Sequence, residues 1–89
     1  MRERDLRQLL EQLHAEIQVT DTIDDRSREL LRGVLGEIED LLERKQKQGT
    51  RPESIIERLR GAVKSFEKTH PTLTDAIGRV ADALAAIGI

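Results

Sequence analysis

The sequence predicts an all-α fold, a small antiparallel bundle of about four helices in one domain that spans residues 1–89. Three observations support this prediction. Apolar residues recur three and four positions apart in four segments, which is the spacing of one helix face. Leu, Ile, Val and Ala supply almost all of the apolar content, and short polar stretches separate the segments. A coiled-coil-like hairpin of the first two helices is a variant of the same architecture.

The first predicted helix covers roughly residues 3–19. Its apolar face consists of Leu6, Leu9, Leu10, Leu13 and Ile17. The turn TDTID follows it, and such residues favour turns because their side chains bond to nearby backbone groups. Thr22 or Asp24 is then expected to cap the next helix.

The second helix is predicted over about residues 25–46. Its apolar stripe is about 140° wide, which is broad enough to touch two neighbours. The stripe consists of Leu30, Leu31, Val34, Leu35, Ile38, Leu41 and Leu42. Gly33 and Gly36 lie on the opposite face, either as tolerated surface glycines or as points where a partner approaches the backbone closely.

The third helix is predicted over about residues 52–69, after the polar linker at residues 45–51. Pro52 suits a first helical position, where its missing N–H is not needed. The inner face consists of Ile55, Ile56, Leu59, Ala62, Val63 and Phe66, and Gly61 points outward. Pro71 disfavours helical geometry at the residue before it, so the helix is expected to end near His70.

A structural joint is predicted at His70, Pro71, Thr72 and Asp75. Thr72 is the expected N-cap of the fourth helix, and Asp75 completes a T-x-x-D pattern that resembles a capping box. That helix is predicted over about residues 73–87, with Gly88 closing it. Its heptad seam consists of Leu73, Ile77, Val80, Leu84 and Ile87.

The fourth helix has an apolar arc about 200° wide, because its few charges share an arc of about 60° opposite the seam. Such a helix is expected either at the centre of the fold or against another chain. An 89-residue chain with no cysteine and one aromatic residue has little core of its own, and self-association is a common remedy. A homodimer is therefore predicted. Its interface residues are Ala76, Val80, Ala81, Leu84, Ala85 and Ile87.

Composition also restricts the classes of function. Fifteen basic and 17 acidic residues leave a net charge of −2, which offers no general attraction for nucleic acid. The only aromatic residue, Phe66, is too little for base stacking. No apolar run approaches the roughly 18 residues of a membrane span, and the charged start MRERDLRQLL has no signal-peptide core. A cytoplasmic location is expected.

The chain ending resembles a known bacterial family. It consists of F-E-x-x-H-P-T-L, from Phe66 to Leu73, followed by a Leu- and Ala-rich helix ending in Gly88-Ile89. This pattern is similar to the family catalogued as domain of unknown function 4404, and the similarity extends to the Leu-rich first and second helices. The resemblance implies a short all-helical bacterial protein and carries no activity, cofactor or site residue.

Two histidines are the candidates for chemistry. His70 precedes a proline at a helix end, where a histidine can satisfy terminal carbonyls, so a structural role is expected. Glu11 and His14 have the Glu-x-x-His spacing of di-iron bundles. Both are predicted to lie away from the apolar face, which disfavours a metal site.

These observations predict a non-enzymatic helical interaction or structural protein that self-associates or binds a protein partner. No catalytic residue, cofactor, metal or nucleic acid is predicted. A peripheral membrane protein that contacts lipid through the last helix is the first alternative, although its polar face has a single arginine. A metal-binding helical bundle is the second.

Overall fold

The helical periodicity of the sequence is realised as four α-helices in a computed structural model, which describes residues 3–43 and 52–87. The helices are α1 (Glu3–Val19), α2 (Asp25–Leu42), α3 (Pro52–Phe66) and α4 (Pro71–Ile87). The described residues contain no strand, and the all-α prediction is confirmed. The predicted linker at residues 45–51 and the helix-closing Gly88 lie outside the described residues.

Asp24 is the residue that caps α2. Its carboxylate Oδ1 accepts a hydrogen bond of 2.8 Å from the Ser27 N–H, which satisfies one of the free donors at the helix start. Hydrogen bonds with the Ser27 side chain and backbone lower the pKa of Asp24, and the nearby charge of Arg26 adds to the effect. Of the two predicted caps, Asp24 rather than Thr22 is therefore correct.

Two helices end earlier than predicted. Helix α2 ends at Leu42, and Glu43 is its C-cap; residues 44–46 of the predicted range lie outside the described residues. Helix α3 ends at Phe66 instead of residue 69. The Phe66 carbonyl accepts from the Thr69 N–H at 3.1 Å and from the His70 N–H at 2.8 Å, and Pro71, which has no N–H, cannot continue this ladder.

The start of α4 also differs from the prediction. The helix begins at Pro71, so Thr72 is its second residue and not its N-cap. The His70 carbonyl accepts the first helical hydrogen bond, 2.9 Å from the Thr74 N–H, because Pro71 is preorganised for the first helical position. The carboxylate Oδ2 of Asp75 pairs with the Arg79 Nε at 3.0 Å, in place of the expected capping box.

Consecutive helices run antiparallel around one core. The Arg58–Glu37 ion pair joins the early part of α3 to the later part of α2, and the Arg60–Asp82 pair joins α3 to the later part of α4. The end of α1 meets the start of α4, so the four helices form a closed ring around the core. Helix α4 lies between α1 and α3, and its backbone approaches both more closely than α2 approaches its neighbours.

The core consists mainly of the apolar faces that the periodicity predicts, with Ile23, Ala81 and Ala83 buried in addition. Leu30, assigned to the inner stripe of α2, is 64% exposed. It lies at the edge of that stripe, where the stripe turns toward solvent. The buried residues are Leu6, Leu10, Leu13, Ile17, Ile23, Leu31, Val34, Leu35, Ile38, Leu42, Ile55, Leu59, Leu73, Ile77, Val80, Ala81, Ala83 and Leu84.

Candidate functional site

The predicted interface on α4 lies largely inside the chain. Val80, Ala81 and Leu84 are at most 1% exposed, because α1 and α3 cover the two flanks of the helix. Ala76 is half-buried and Ala85 is exposed, and the side chain of Ile87 lies outside the described part. A second copy cannot contact the three buried residues unless the bundle opens, so a partner surface has to be found elsewhere.

The burial of the α4 seam also concerns the alternative of a peripheral membrane protein that contacts lipid through this helix. Leu73 and Ile77, which begin the seam of α4, are at most 1% exposed, so lipid cannot reach the seam in the closed bundle. None of the helices in the described ranges has both the length and the apolar character needed to cross a bilayer.

His70 joins the two tight turns at one end of the bundle. Its Nε2 lies 2.7 Å from the Thr22 hydroxyl, in the α1–α2 turn. Its Nδ1 lies 2.9 Å from the Thr69 hydroxyl, in the α3–α4 turn. The Phe66 ring meets the imidazole edge to face, with centroids 5.5 Å apart. These contacts fix the positions of both ring nitrogens and the orientation of the ring. Through the Thr22 contact, His70 connects segments that are 48 residues apart.

A shallow polar groove of about 330 Å³ lies beside His70. Thr20, Asp21 and Thr22 line it from the first turn, and Pro71 and Thr72 line it from the start of α4. Thr72, predicted as a cap, therefore faces this groove. The groove contains hydroxyl groups and carboxylates, but the ring nitrogens of His70 already have the two threonine hydroxyls as partners.

The two side chains of the Glu-x-x-His pair on α1 point to solvent. Glu11 and His14 are both exposed. The Nε2 of His14 lies 2.9 Å from the Glu39 Oε1 and links α1 to α2 across the surface. Within residues 3–43 and 52–87, no group of three or more His, Cys, Asp or Glu side chains is arranged to hold a metal ion.

An open apolar groove of about 260 Å³ runs between α2 and α3. We call it the α2–α3 groove. The Arg58 guanidinium and the Glu37 carboxylate bridge the two helices at one end, 2.6 Å apart. Leu30 forms part of its wall while remaining mostly exposed. The lining residues are Ser27, Leu30, Leu31, Val34, Arg58, Ala62, Ser65 and Phe66.

Glycines widen the surface around this groove. A Cβ atom added at Gly33 or Gly61 would meet no atom within 4 Å, and both residues are exposed. Neither glycine is needed for packing within the chain, and each costs its helix about 1 kcal/mol relative to Ala. Gly33 lies three residues after the exposed Leu30 on α2.

Sequence reasoning missed this groove because it assigned Leu30 to the core. Two signals in the sequence could have found it. Leu30 begins the apolar stripe, at an angle well away from the mean direction of the stripe. Gly33, although opposite to the mean direction of the stripe, follows Leu30 by three residues and is its neighbour on the helix surface, so a large exposed side chain stands next to a position without one.

The family model described as Domain of unknown function (DUF4404) matches residues 6–89. The comparisons with curated proteins and with solved structures found no match.

Proposed function

The chain belongs to the DUF4404 family, and we propose that it is a non-enzymatic helical interaction protein that forms a homodimer. The observation that carries this proposal is the α2–α3 groove with the exposed Leu30 at its wall. A single exposed leucine is ordinary on a protein surface. An exposed leucine that borders an apolar groove containing the only aromatic residue is a more specific feature, because contiguous apolar patches mark interaction sites.

The small core also supports association. A chain of 89 residues buries a modest share of its surface, and much of this core is supplied by α4 and the helices beside it. Burial of Leu30 and the groove by a second copy would add apolar area removed from water, at about 25 cal/mol per Å². Two-fold dimers are the commonest soluble oligomers.

The non-enzymatic part of the proposal rests on the surroundings of His70. In a nucleophilic triad, one imidazole nitrogen faces the nucleophile while a carboxylate orients the other. Here both ring nitrogens face threonine hydroxyls, of Thr22 and Thr69. That arrangement joins two turns but supplies no carboxylate to stabilise an imidazolium, which supports a structural role. A cytoplasmic location remains a prediction.

Light scattering coupled to size-exclusion chromatography tests the proposal. We expect a mass that rises with concentration from that of one chain, 10.1 kDa, toward twice that value. Leu30→Lys should shift the protein toward the monomer while its circular dichroism stays helical, because a charged ammonium resists burial. A constant mass near 10.1 kDa up to about millimolar concentration would contradict self-association.

Val19→Lys is the matched control. Val19 is the other large exposed apolar residue among the described ones, 73% exposed at the end of α1, and it lines the polar groove beside His70 and not the α2–α3 groove. The Val19→Lys variant should therefore show the same mass by light scattering as the unmodified protein at each concentration. Equal loss of association in both variants would argue for a nonspecific apolar contact.

A further inference from the structure

One line of residues on α2 is complementary to itself. We call Arg26, Leu30, Gly33 and Glu37 the α2 stripe; they are spaced four, three and four residues apart, so they lie along one edge of the helix. When two copies of the stripe are aligned antiparallel, the basic residue of one copy lies opposite the acidic residue of the other. The large apolar residue then lies opposite the glycine. This is the pattern that a two-fold interface requires, since each surface must fit its own copy.

We propose that a second copy of this chain docks antiparallel on the α2 stripe, with Leu30 of each copy packing over Gly33 of the other and Arg26 facing Glu37. This inference rests on the proposed self-association and places the contact on the α2 stripe, which shares Leu30 with the wall of the α2–α3 groove. Antiparallel alignment centred between Leu30 and Gly33 produces both pairings at once. Parallel alignment would place Arg26 against Arg26 and Glu37 against Glu37, and like charges repel.

Three members of the stripe are exposed, and the fourth, Glu37, is half-buried. Arg26 and Gly33 are exposed, and Leu30 is 64% exposed. The empty space around Gly33, where an added Cβ would meet nothing within 4 Å, can receive the Leu30 side chain of the second copy. Because Gly33 has no side chain, the two helix backbones can approach closely at this point.

Glu37 already pairs with Arg58 inside its own chain. A carboxylate has about four lone-pair sites, so it can also accept from Arg26 of the second copy. The charges along α2 disfavour the parallel direction. The later part of the helix is acidic, with Glu37, Glu39 and Asp40 and no basic residue, whereas residues 25–32 contain three arginines against Asp25 and Glu29. Parallel docking would set the two acidic parts against each other, whereas antiparallel docking separates them.

Engineered cysteines test the register directly, because the chain has no cysteine of its own. Arg26→Cys and Glu37→Cys chains are prepared separately, then mixed under mild oxidation and analysed on a nonreducing gel. The mixture should form a covalent dimer, and neither variant alone should. In the antiparallel register, equivalent residues are displaced by 11 positions, about 16 Å along the helix, whereas a disulfide needs Cα atoms within about 7 Å.

Crosslinking of each variant with itself, and not in the mixture, would overturn the antiparallel register. If light scattering shows a dimer but no crosslink forms in any sample, the α2 stripe is not the interface, while the proposed self-association stands. If the unmodified chain stays at the mass of one copy at every concentration, both proposals fail.

Glycine substitutions test the surface without risk to the fold. Gly33→Gln should weaken dimerisation at least about tenfold in dissociation constant, since its side chain occupies the space that Leu30 would fill. Gly36→Gln is the matched control. It lies on the same helix, also with nothing within 4 Å of an added Cβ, but about 60° or more away from the stripe around the helix, so dimerisation should change less than about twofold. Equal effects of the two variants would overturn the assignment.

Discussion

Helices α4 and α2 lie across the bundle from each other, and they bury their apolar faces in different ways. Helix α4 is rich in Ala and carries only Asp75, Arg79 and Asp82 as charges. Its neighbours α1 and α3 approach its backbone closely. Helix α2 carries many charges and large apolar side chains, and it stands farther from the two helices beside it. The same bundle therefore has one closely packed side and one looser side.

The difference shows how side-chain size sets the distance between helices. Ala81 and Ala83 are fully buried in α4, because small side chains let the flanking helices come close enough to cover both sides of the seam. On α2, Leu31, Leu35 and Ile38 fill the core while holding the neighbouring backbones away. Leu30 and the α2–α3 groove remain open as a result. The closely packed side buries small side chains on both flanks of α4, whereas the looser side leaves Leu30 exposed at the edge of α2.

The largest expected effect is at Ala81. Ala81→Glu places a carboxylate at a fully buried position, where an uncompensated charge costs about 3–5 kcal/mol. That is a large share of a total stability of about 5–15 kcal/mol. Urea denaturation followed by circular dichroism measures the loss. Ala85→Glu, one turn later at an exposed position near the end of α4, should change stability by less than about 0.5 kcal/mol. Similar losses of stability in the two variants would mean that α1 and α3 do not cover Ala81.

The joint at the start of α4 should have the next largest effect. His70→Ala removes the contacts with both threonine hydroxyls and the edge-to-face contact with Phe66. Together these contacts are worth about 1–2 kcal/mol. Thr72→Ala should cost less than about 0.5 kcal/mol, since the helix begins before Thr72 and needs no cap there. Thermal unfolding of both variants checks this order, and a larger loss for Thr72→Ala would restore Thr72 as the cap.

A gain in stability is expected on the looser side. Gly36→Ala should stabilise α2 by about 1 kcal/mol, because Ala has the higher helix propensity and an added Cβ at this position meets no atom within 4 Å. The unfolding midpoint in urea should rise with an unchanged slope. A destabilised variant would show that α2 lies closer to α1 or α3 in solution than in the structure.

The smallest expected effect concerns the pH dependence at the start of α2. The folded-state pKa of Asp24 lies below its ordinary value of 3.8, so its contribution to stability is complete above that value. The contribution is lost as pH falls through the folded-state pKa, because protonation weakens the bond from Ser27. Asp24→Ala should lower the unfolding midpoint at neutral pH, and the difference from the unmodified protein should shrink toward about pH 2. A difference that is constant with pH would exclude a role for the charge.

Much of the helical structure could be predicted because its signals are local. The spacing of apolar residues identified all four helices, and Asp24 was one of two proposed caps. The error at the start of α4 arose where two local signals compete. Thr72 is a good N-cap by residue type, but Pro71 fits the first helical position and moves the start of the helix back to it. A sequence pattern alone does not rank these two signals.

The candidate site was harder to predict because it depends on neighbours. The α4 interface was inferred from an apolar arc too wide for a surface helix, and the structure covers that arc with α1 and α3. Leu30 was assigned to the core from its place in the stripe of α2, yet it is 64% exposed. Each error concerns which helix lies next to a face, and not which face is apolar.

The sequence by itself determined the class of fold, the four helical segments and the direction of their apolar faces, since a period of 3.6 residues follows from backbone geometry. Only the tertiary structure decided that α1 and α3 pack more closely on α4 than on α2, that His70 joins two distant turns, and that the edge of α2 stays open. Periodicity specifies which side of a helix avoids water, but the distance to each neighbour depends on how the side chains of two helices fit together.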